Sequence, residues 1–229
     1  NLMSMNHNER IKYDQVVLER IRVLCRIFWE PDLKSCHQMT KNILFKPFET
    51  ILAGQGTSVT ALLNDMTSII NHFESGEQLH SHLDECYIRL FVNSREGIIP
   101  LYQSCYEYEG APMMGDSAQR MTLLFEAQGL SIADRLNEPP DHLAIELEYL
   151  FFILNKYAKK ESPLLKPGAF PEEAVLFVSD NLLPWVTALH ERLVTASTDC
   201  RFYLLAAGFL VDLLKLIKGD NESVHRSSR

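Results

Sequence analysis

The sequence predicts an all-α protein, and two observations carry that prediction. Apolar residues recur at helical spacing along nearly all of the 229 residues, and no stretch shows the apolar–polar alternation typical of a strand. Hydrophobic residues make up 46% of the chain and charged residues 23%, which is the balance of a globular protein with a sizeable core. We expect one helical domain over residues 1–229, with its core at about 8–218 and a polar segment at each end.

Proline and glycine set the limits of the helices expected in the first half of the chain. Pro31 ends the first helix, because proline cannot continue the hydrogen-bond ladder and is favoured in the first turn of the next helix. Pro47 interrupts the second helix, and Gly76 ends the third. The predicted helices run from Asn8 to about Trp29, from Pro31 towards Leu52, from the turn Gly54–Ser58 to about Phe73, and from Glu77 to about Val92.

The second half contains a long irregular segment and the most apolar helix. Residues 93–115 hold two prolines, three glycines and three tyrosines with weak periodicity, and a loop of this length inside a compact domain is often functional. A helix from Pro139 to about Lys160 is apolar on most of its circumference, which predicts a place at the centre of a bundle. The remaining predicted helices are Asp116 to Gln128, Pro171 to Ala196 and Asp199 to Lys218.

Charge and cysteine content exclude some classes of partner. The net charge of −8 argues against nucleic-acid binding, because phosphates require a cationic face. The most apolar run, Phe202 to Val211, is too short to span a bilayer, and Asn1 to Asp14 lacks the apolar stretch of a secretory signal. Five scattered cysteines without a CxxC pair indicate free thiols in a reducing compartment. We therefore expect a cytoplasmic protein without stable membrane insertion.

The segment Glu138 to His142 (EPPDH) places two prolines, an acid and a histidine at the start of the apolar helix. Proline is pre-organised for a first turn, and Asp141 would stabilise the helix N-terminus by about 0.3–1 kcal/mol. Helix chemistry leaves His142 without a structural reason, and we expect its side chain to lie half exposed at the edge of the core. Adjacent helical residues do not face each other and no activated nucleophile is identifiable, so an Asp141–His142 catalytic pair is disfavoured.

Residues 72–86 are rich in potential metal ligands. His82 and Cys86 are four apart and share a helix face, whereas His80 and His82 point to different faces. A tight site needs three or four converging ligands, so we favour a polar helix face and predict no metal or other cofactor. The alternative function is a metal- or nucleotide-dependent hydrolase that uses this cluster or Asp141 and His142. The cluster comprises His72, His80, His82, Asp84, Glu85 and Cys86.

Two acidic, aromatic-edged segments favour a peptide-binding surface. Residues 96–119 and residues 136–155 each contain four acids and no base. Tyr102, Tyr106 and Tyr108 offer a large contact area at little ordering cost, and carboxylates bind arginine through a bidentate fork. The sequence therefore predicts a groove for a cationic, partly apolar peptide.

Four motifs follow one another along the chain. They are Tyr87-x-x-Leu90-Phe91, Pro100-x-Tyr102-x-Ser104-x-Tyr106, Gly129-Leu130, and the EPPDH segment with Leu147 after it. This ordered series resembles the TorD/DmsD/NarJ family of redox-enzyme maturation chaperones. The resemblance extends from about Ile11 to Lys218.

The resemblance implies an all-helical, single-domain cytoplasmic chaperone that is not an enzyme. Such proteins bind the twin-arginine signal peptide or the apo form of a molybdopterin-containing oxidoreductase and assist cofactor insertion before export, as monomers or domain-swapped dimers. The matching peptide-binding positions are Asp141, His142, Glu138, Tyr87, Phe91, Pro100, Tyr102, Ser104 and Tyr106. We expect the double variant Asp141→Ala, His142→Ala to weaken peptide binding while helical content and melting stay nearly unchanged.

Overall fold

The computed structural model describes residues 7–52, 58–92, 99–130, 138–159, 170–196 and 200–219. Within these residues the chain is helical, which confirms the all-α prediction, and β pairing is confined to an isolated bridge between Tyr102 and His142. A short 3-10 helix spans Gln103–Tyr106. The α-helices are α1 (His7–Ile27), α2 (Leu33–Thr40), α3 (Lys46–Glu49), α4 (Ser58–Ile70), α5 (Gly76–Tyr87), α6 (Asp116–Ala127), α7 (Leu143–Lys159), α8 (Glu172–Phe177), α9 (Leu183–Thr195) and α10 (Arg201–Lys218).

Two helices continue through a wider π-helical turn. α5 runs directly into Ile88–Val92, and Val178–Leu182 joins α8 to α9. The sequence predicted one continuous helix over each of these stretches. The backbone is helical throughout both, but one turn of each is widened, a feature often found at functional sites.

α7 lies at the centre of the helices, as predicted. It packs along α1 and against α8, and each of its first five residues, 143–147, is at most 2% exposed. α10 packs against α1, α4 and α9 and buries 13 of its residues. The apolar circumference of α7 therefore reflects burial of most of the helix surface, although Glu148 and Ala158 are exposed.

The predicted start of α7 at Pro139 is wrong. Residues 138–142 form a turn in which the His142 N–H donates to Pro139 O at 3.1 Å. The Gln103 N–H donates to Asp141 O at 3.0 Å, and the Leu143 N–H donates to Leu101 O at 2.8 Å. Because this segment pairs with residues 101–103, the helix begins only at Leu143.

Arg20 joins α1 to α3 from inside the fold. Its side chain is 1% exposed, and its Nε donates to Pro47 O at 2.9 Å while Nη2 donates to Thr50 O. The guanidinium lies 5.2 Å from the centre of the Phe48 ring. Burial lowers the pKa of Arg20 to about 10, so the side chain stays charged at neutral pH and satisfies carbonyls at the end of α3.

The cysteines differ from the expectation of five free thiols. Cys86, at the end of α5, and Cys200, directly before α10, form a disulfide across 114 residues of sequence. Cys25, Cys36 and Cys105 are free. Spacing along the chain cannot reveal a pair brought together by packing, which is why the expectation was wrong.

None of the helices in the described ranges is long and apolar enough to cross a membrane.

Candidate functional site

The EPPDH segment meets the 99–106 loop through paired backbone. The bridge between Tyr102 and His142 is antiparallel, so the two segments hold their side chains side by side. The Tyr102 hydroxyl donates to Glu138 Oε2 at 2.6 Å. Two motifs that are far apart in sequence thus form one structural unit.

His142 is the N-cap of α7. Its Nδ1 accepts from the Ala144 N–H at 3.2 Å, and its backbone oxygen accepts from the N–H groups of Ile145 (2.9 Å) and Glu146 (3.0 Å). The expectation that His142 is half exposed and lacks a structural reason is wrong, because the residue is 2% exposed and caps the helix.

The His142 ring is held between two aromatic side chains. It stacks on Trp29, with ring centres 4.8 Å apart and planes 16° apart, and it meets Tyr102 edge-on at 5.1 Å. Burial lowers the pKa of His142 to about 4. The ring is therefore neutral at pH 7, and because Nδ1 accepts a hydrogen bond, the proton is on Nε2.

Asp141 ties three segments together rather than acting on the helix dipole. Its side chain is fully buried, and Oδ2 accepts from the Ser104 N–H at 2.8 Å and from the Ser117 hydroxyl at 3.3 Å. The prediction that Asp141 lies at the start of the helix and stabilises its N-terminus is wrong, because the residue precedes the N-cap of α7. Its role is to join the EPPDH turn to the 3-10 helix and to the start of α6.

A second buried acid, Glu146, lies one turn into α7. Trp185 Nε1 donates to Glu146 Oε2 at 2.9 Å, and burial, with the nearby charge of Asp141, raises the pKa of Glu146 well above its usual value. The carboxyl is thus held towards its neutral form inside the core. Sequence reasoning missed Glu146 as a site residue, although an acid at an apolar face of a helix can indicate a buried carboxyl group.

An acidic and aromatic rim, which comprises Trp29, Glu30, Tyr102 and Glu138, surrounds the buried motif. Trp29, Tyr102 and Glu138 are partly exposed and Glu30 is exposed. Burial raises the pKa of Tyr87, and the charges of Glu138 and Glu30 raise it further. The carboxylates of Glu138 and Glu30 therefore both lie close enough to Tyr87 to influence its hydroxyl group.

Trp29 and Glu30 were not predicted as site residues. They lie just after α1, far from the other motifs in sequence. The stretch Arg22 to Asp32 nevertheless shares in the family resemblance, and an aromatic residue next to an acid within it was the available signal. Their contribution to the rim depends on the packing of α1 along α7.

The other predicted residues divide by exposure. Tyr87 and Phe91 are 9% and 7% exposed and pack against Tyr203, at ring-centre distances of 6.1 and 5.1 Å. Ser104 is fully buried. These three positions support the site from inside.

Pro100 and Tyr106 are partly exposed on the loop side of the site. The Tyr106 hydroxyl donates to Pro100 O at 2.8 Å. Its ring lies 5.3 Å from Trp185, and the Arg192 guanidinium lies 4.1 Å from its centre. The contact with Arg192 makes this part of the surface less acidic than the sequence suggested.

A groove adjoins the rim at Trp29. Its volume is about 430 Å³ and it lies between α1 and α7, lined by Arg22, Cys25, Arg26, Trp29, Glu148 and Phe151. A larger depression of about 630 Å³ lies against α3 and α4. We centre the candidate site on the rim, because Trp29 lines the smaller groove and stacks on His142, whereas no rim residue lines the larger depression.

The histidines of residues 72–86 do not converge in the described part of the chain. His72 Nδ1 is 2.6 Å from Ser68 O, and His80 Nε2 is 3.2 Å from Pro31 O. His82 Nε2 is 3.7 Å from the sulfur of Cys86. Among the residues with described positions, no three His, Cys, Asp or Glu side chains form a metal-binding group.

Comparison with known proteins identifies relatives of this chain. The family model "Nitrate reductase delta subunit" matches residues 55–191. The chaperone protein TorD of Photobacterium profundum is 28% identical over 170 residues, which cover 73% of this chain and 77% of the relative. TorD of Vibrio cholerae is 29% identical over 136 residues, covering 59% and 60%. TorD of Aliivibrio salmonicida is 26% identical over 198 residues, covering 83% and 90%.

One solved structure shares the fold. It is a protein from Archaeoglobus fulgidus assigned to redox enzyme maturation, with a TM-score of 0.50 over 95% of this chain and 98% of that chain. At 21% identity, this likeness concerns the fold alone.

Proposed function

We infer the function from the premise that the chain belongs to the nitrate reductase delta subunit family. Its relatives are named chaperones, and it shares its helical fold with a protein assigned to redox enzyme maturation. The chain is accordingly a redox-enzyme maturation chaperone. Its client is a molybdopterin-containing oxidoreductase, and it acts in the cytoplasm as a single helical domain that catalyses no reaction.

The ligand is the twin-arginine signal peptide of the client, bound at the acidic and aromatic rim. One observation carries this proposal. Glu138 accepts from Tyr102, and neither Glu138 nor Glu30 has an ion-pair partner among the described residues. Unpaired carboxylates beside aromatic faces suit a guanidinium group, which binds carboxylates through a fork and stacks on rings.

The nine predicted positions have two different roles in this proposal. Glu138, Tyr102, Pro100 and Tyr106 are accessible enough to touch a peptide. The buried residues position them: His142 holds Tyr102 and Trp29, and Asp141 holds the loop on which Tyr102 lies. The buried residues of this second group are Asp141, His142, Ser104, Tyr87 and Phe91.

A double-mutant cycle between the chain and the peptide tests the rim. Fluorescence anisotropy would measure the Kd of the wild type and of Glu138→Gln, each with the arginine pair intact or replaced by two lysines. We expect either change alone to raise Kd about five- to tenfold, because a charge-assisted fork is lost. Since both changes remove the same contact, the combination should cost little more than either alone.

Glu126→Gln is the matched control, because Glu126 is an exposed acid on α6 with the same change of charge. It should leave Kd within about twofold of the wild type. An equal loss of affinity in Glu126→Gln and Glu138→Gln would show that the effect follows net charge and that Glu138 is not part of the binding site. A wild-type chain that binds neither peptide would reject signal-peptide binding itself.

A further inference from the structure

The disulfide between Cys86 and Cys200 lies at a junction of three elements. Cys86 is the second-last residue of α5, just before the π-helical turn, and Cys200 is the residue that precedes α10. Both side chains are at most 1% exposed. The bond therefore fastens the end of α5 to the start of α10 inside the fold.

A side-chain nitrogen contacts each sulfur atom. Arg89 Nη2 donates to Cys200 Sγ at 2.8 Å, and His82 Nε2 lies 3.7 Å from Cys86 Sγ. Cys200 also occupies the N-terminal end of α10, an 18-residue helix whose dipole is positive there. The Arg89 guanidinium and the positive end of the helix stabilise a thiolate at Cys200, and hence the reduced form of the pair, relative to the disulfide.

We propose that Cys86 and Cys200 form a reversible dithiol–disulfide couple that exchanges with a low-molecular-weight disulfide such as oxidised glutathione. This inference does not depend on the proposed function. Cys200 is the attacking group because Arg89 and the helix N-terminus favour its thiolate. The stabilised reduced form is what makes the couple reversible at the thiol–disulfide ratios of a glutathione buffer.

Two exchange steps complete the oxidation. The Cys200 thiolate attacks one sulfur of the small disulfide, forms a mixed disulfide and releases one small thiolate. The Cys86 thiolate then attacks Cys200 Sγ, which forms the Cys86–Cys200 bond and releases the second small thiolate. The protein loses two electrons and two protons, and the small disulfide becomes two thiols. Since both sulfurs are buried, we expect exchange to need local opening and therefore to be slow.

The two redox forms differ in how they hold an aromatic cluster. Tyr87 follows Cys86 directly, and Tyr203 lies one turn into α10 beyond Cys200. The Tyr87 and Tyr203 rings are 6.1 Å apart, and Phe91 meets Tyr203 at 5.1 Å. Oxidation covalently joins the two chain segments that carry this cluster, and we expect it to raise the melting temperature by about 5 °C or more.

Equilibration in glutathione buffers tests the couple on the full chain. After acid quenching and alkylation, peptide mass spectrometry would count modified thiols at each cysteine. We expect Cys86 and Cys200 to change together from linked to alkylated as reduced glutathione increases, while Cys25 and Cys36 remain thiols throughout. A pair that stays linked at every ratio, or that never links, would overturn the proposal.

Two arginine variants test the origin of the reversibility. Arg89→Met removes the donor to Cys200, so half-reduction should require a glutathione ratio about tenfold more reducing. Arg201→Met is the control, because Arg201 adjoins Cys200 in the chain but pairs with Asp65 at 3.8 Å. Equal shifts in the two variants would refute a specific role for Arg89.

Discussion

Replacing His142 by alanine should destabilise the protein, contrary to what the sequence alone suggests. The variant loses the cap on the Ala144 N–H, which is worth about 1 kcal/mol. It also loses ring contacts with Trp29 and Tyr102, at about 0.5–1.5 kcal/mol each, and leaves a cavity. The total is about 3 kcal/mol, within the range for truncating a buried aromatic side chain.

Urea unfolding followed by circular dichroism at 222 nm would measure this loss. His142→Asn keeps a side-chain acceptor that caps helices well but removes the ring, whereas His142→Phe keeps a ring and removes the cap. We expect each to lose less free energy of unfolding than His142→Ala. An alanine variant within about 0.5 kcal/mol of the wild type would refute the reasoning, because a surface side chain behaves that way.

The pH dependence of the same measurement provides a separate check. Burial lowers the pKa of His142 to about 4 from a usual value of 6.5, so between these values the unfolded chain binds a proton that the folded chain does not. Stability should therefore fall as the pH is lowered from 6.5 to 4, by about 3 kcal/mol at most. In His142→Asn, the free energy of unfolding should no longer show this part of the fall between pH 6.5 and pH 4. An unchanged slope in that variant would assign the effect to other groups.

Two further predictions concern buried charge. Glu146→Gln keeps an acceptor for Trp185 but cannot ionise. Because the pKa of Glu146 is raised, the wild type loses stability as the pH rises above about 4.5, so the variant should be more stable than the wild type at pH 8 by about 1 kcal/mol or more in urea unfolding. A less stable variant would show that the fold requires the ionised form. Arg20→Met leaves the carbonyls of Pro47 and Thr50 without their donor and should cost about 3 kcal/mol. Arg22→Met, on the exposed side of α1, should cost about 0.5 kcal/mol, and equal losses at the two arginines would contradict the role given to Arg20.

Helical periodicity was sufficient for most of the fold. The all-α class and the central position of α7 follow from apolar spacing, because an apolar surface on every side of a helix must be buried. Proline and glycine located most helix ends to within a few residues. There were two exceptions. The second predicted helix ends at Thr40, and Pro47 lies in the first turn of α3 instead of interrupting a helix. The start of α7 was also predicted wrongly, because the backbone of residues 138–142 pairs with residues 101–103, and periodicity along the chain cannot reveal such a partner.

The ordered motifs likewise led to the family, which the match over residues 55–191 confirms. They did not distinguish residues able to touch a ligand from residues that support them. Asp141 and His142 are buried, whereas Glu138 and Tyr102 are partly exposed. The role of each predicted peptide-binding residue remains a prediction for the binding experiments.

The sequence by itself determined the helical class, the main helices and the family, because these depend on local periodicity and on motifs that can be read in order. Only the tertiary structure decided which side chains meet. It placed Trp29 on His142, paired Trp185 with Glu146 and joined Cys86 to Cys200. The physical reason is that each contact joins residues from different helices or loops, and the distance between them is set by the way the helices pack, not by the number of residues between them.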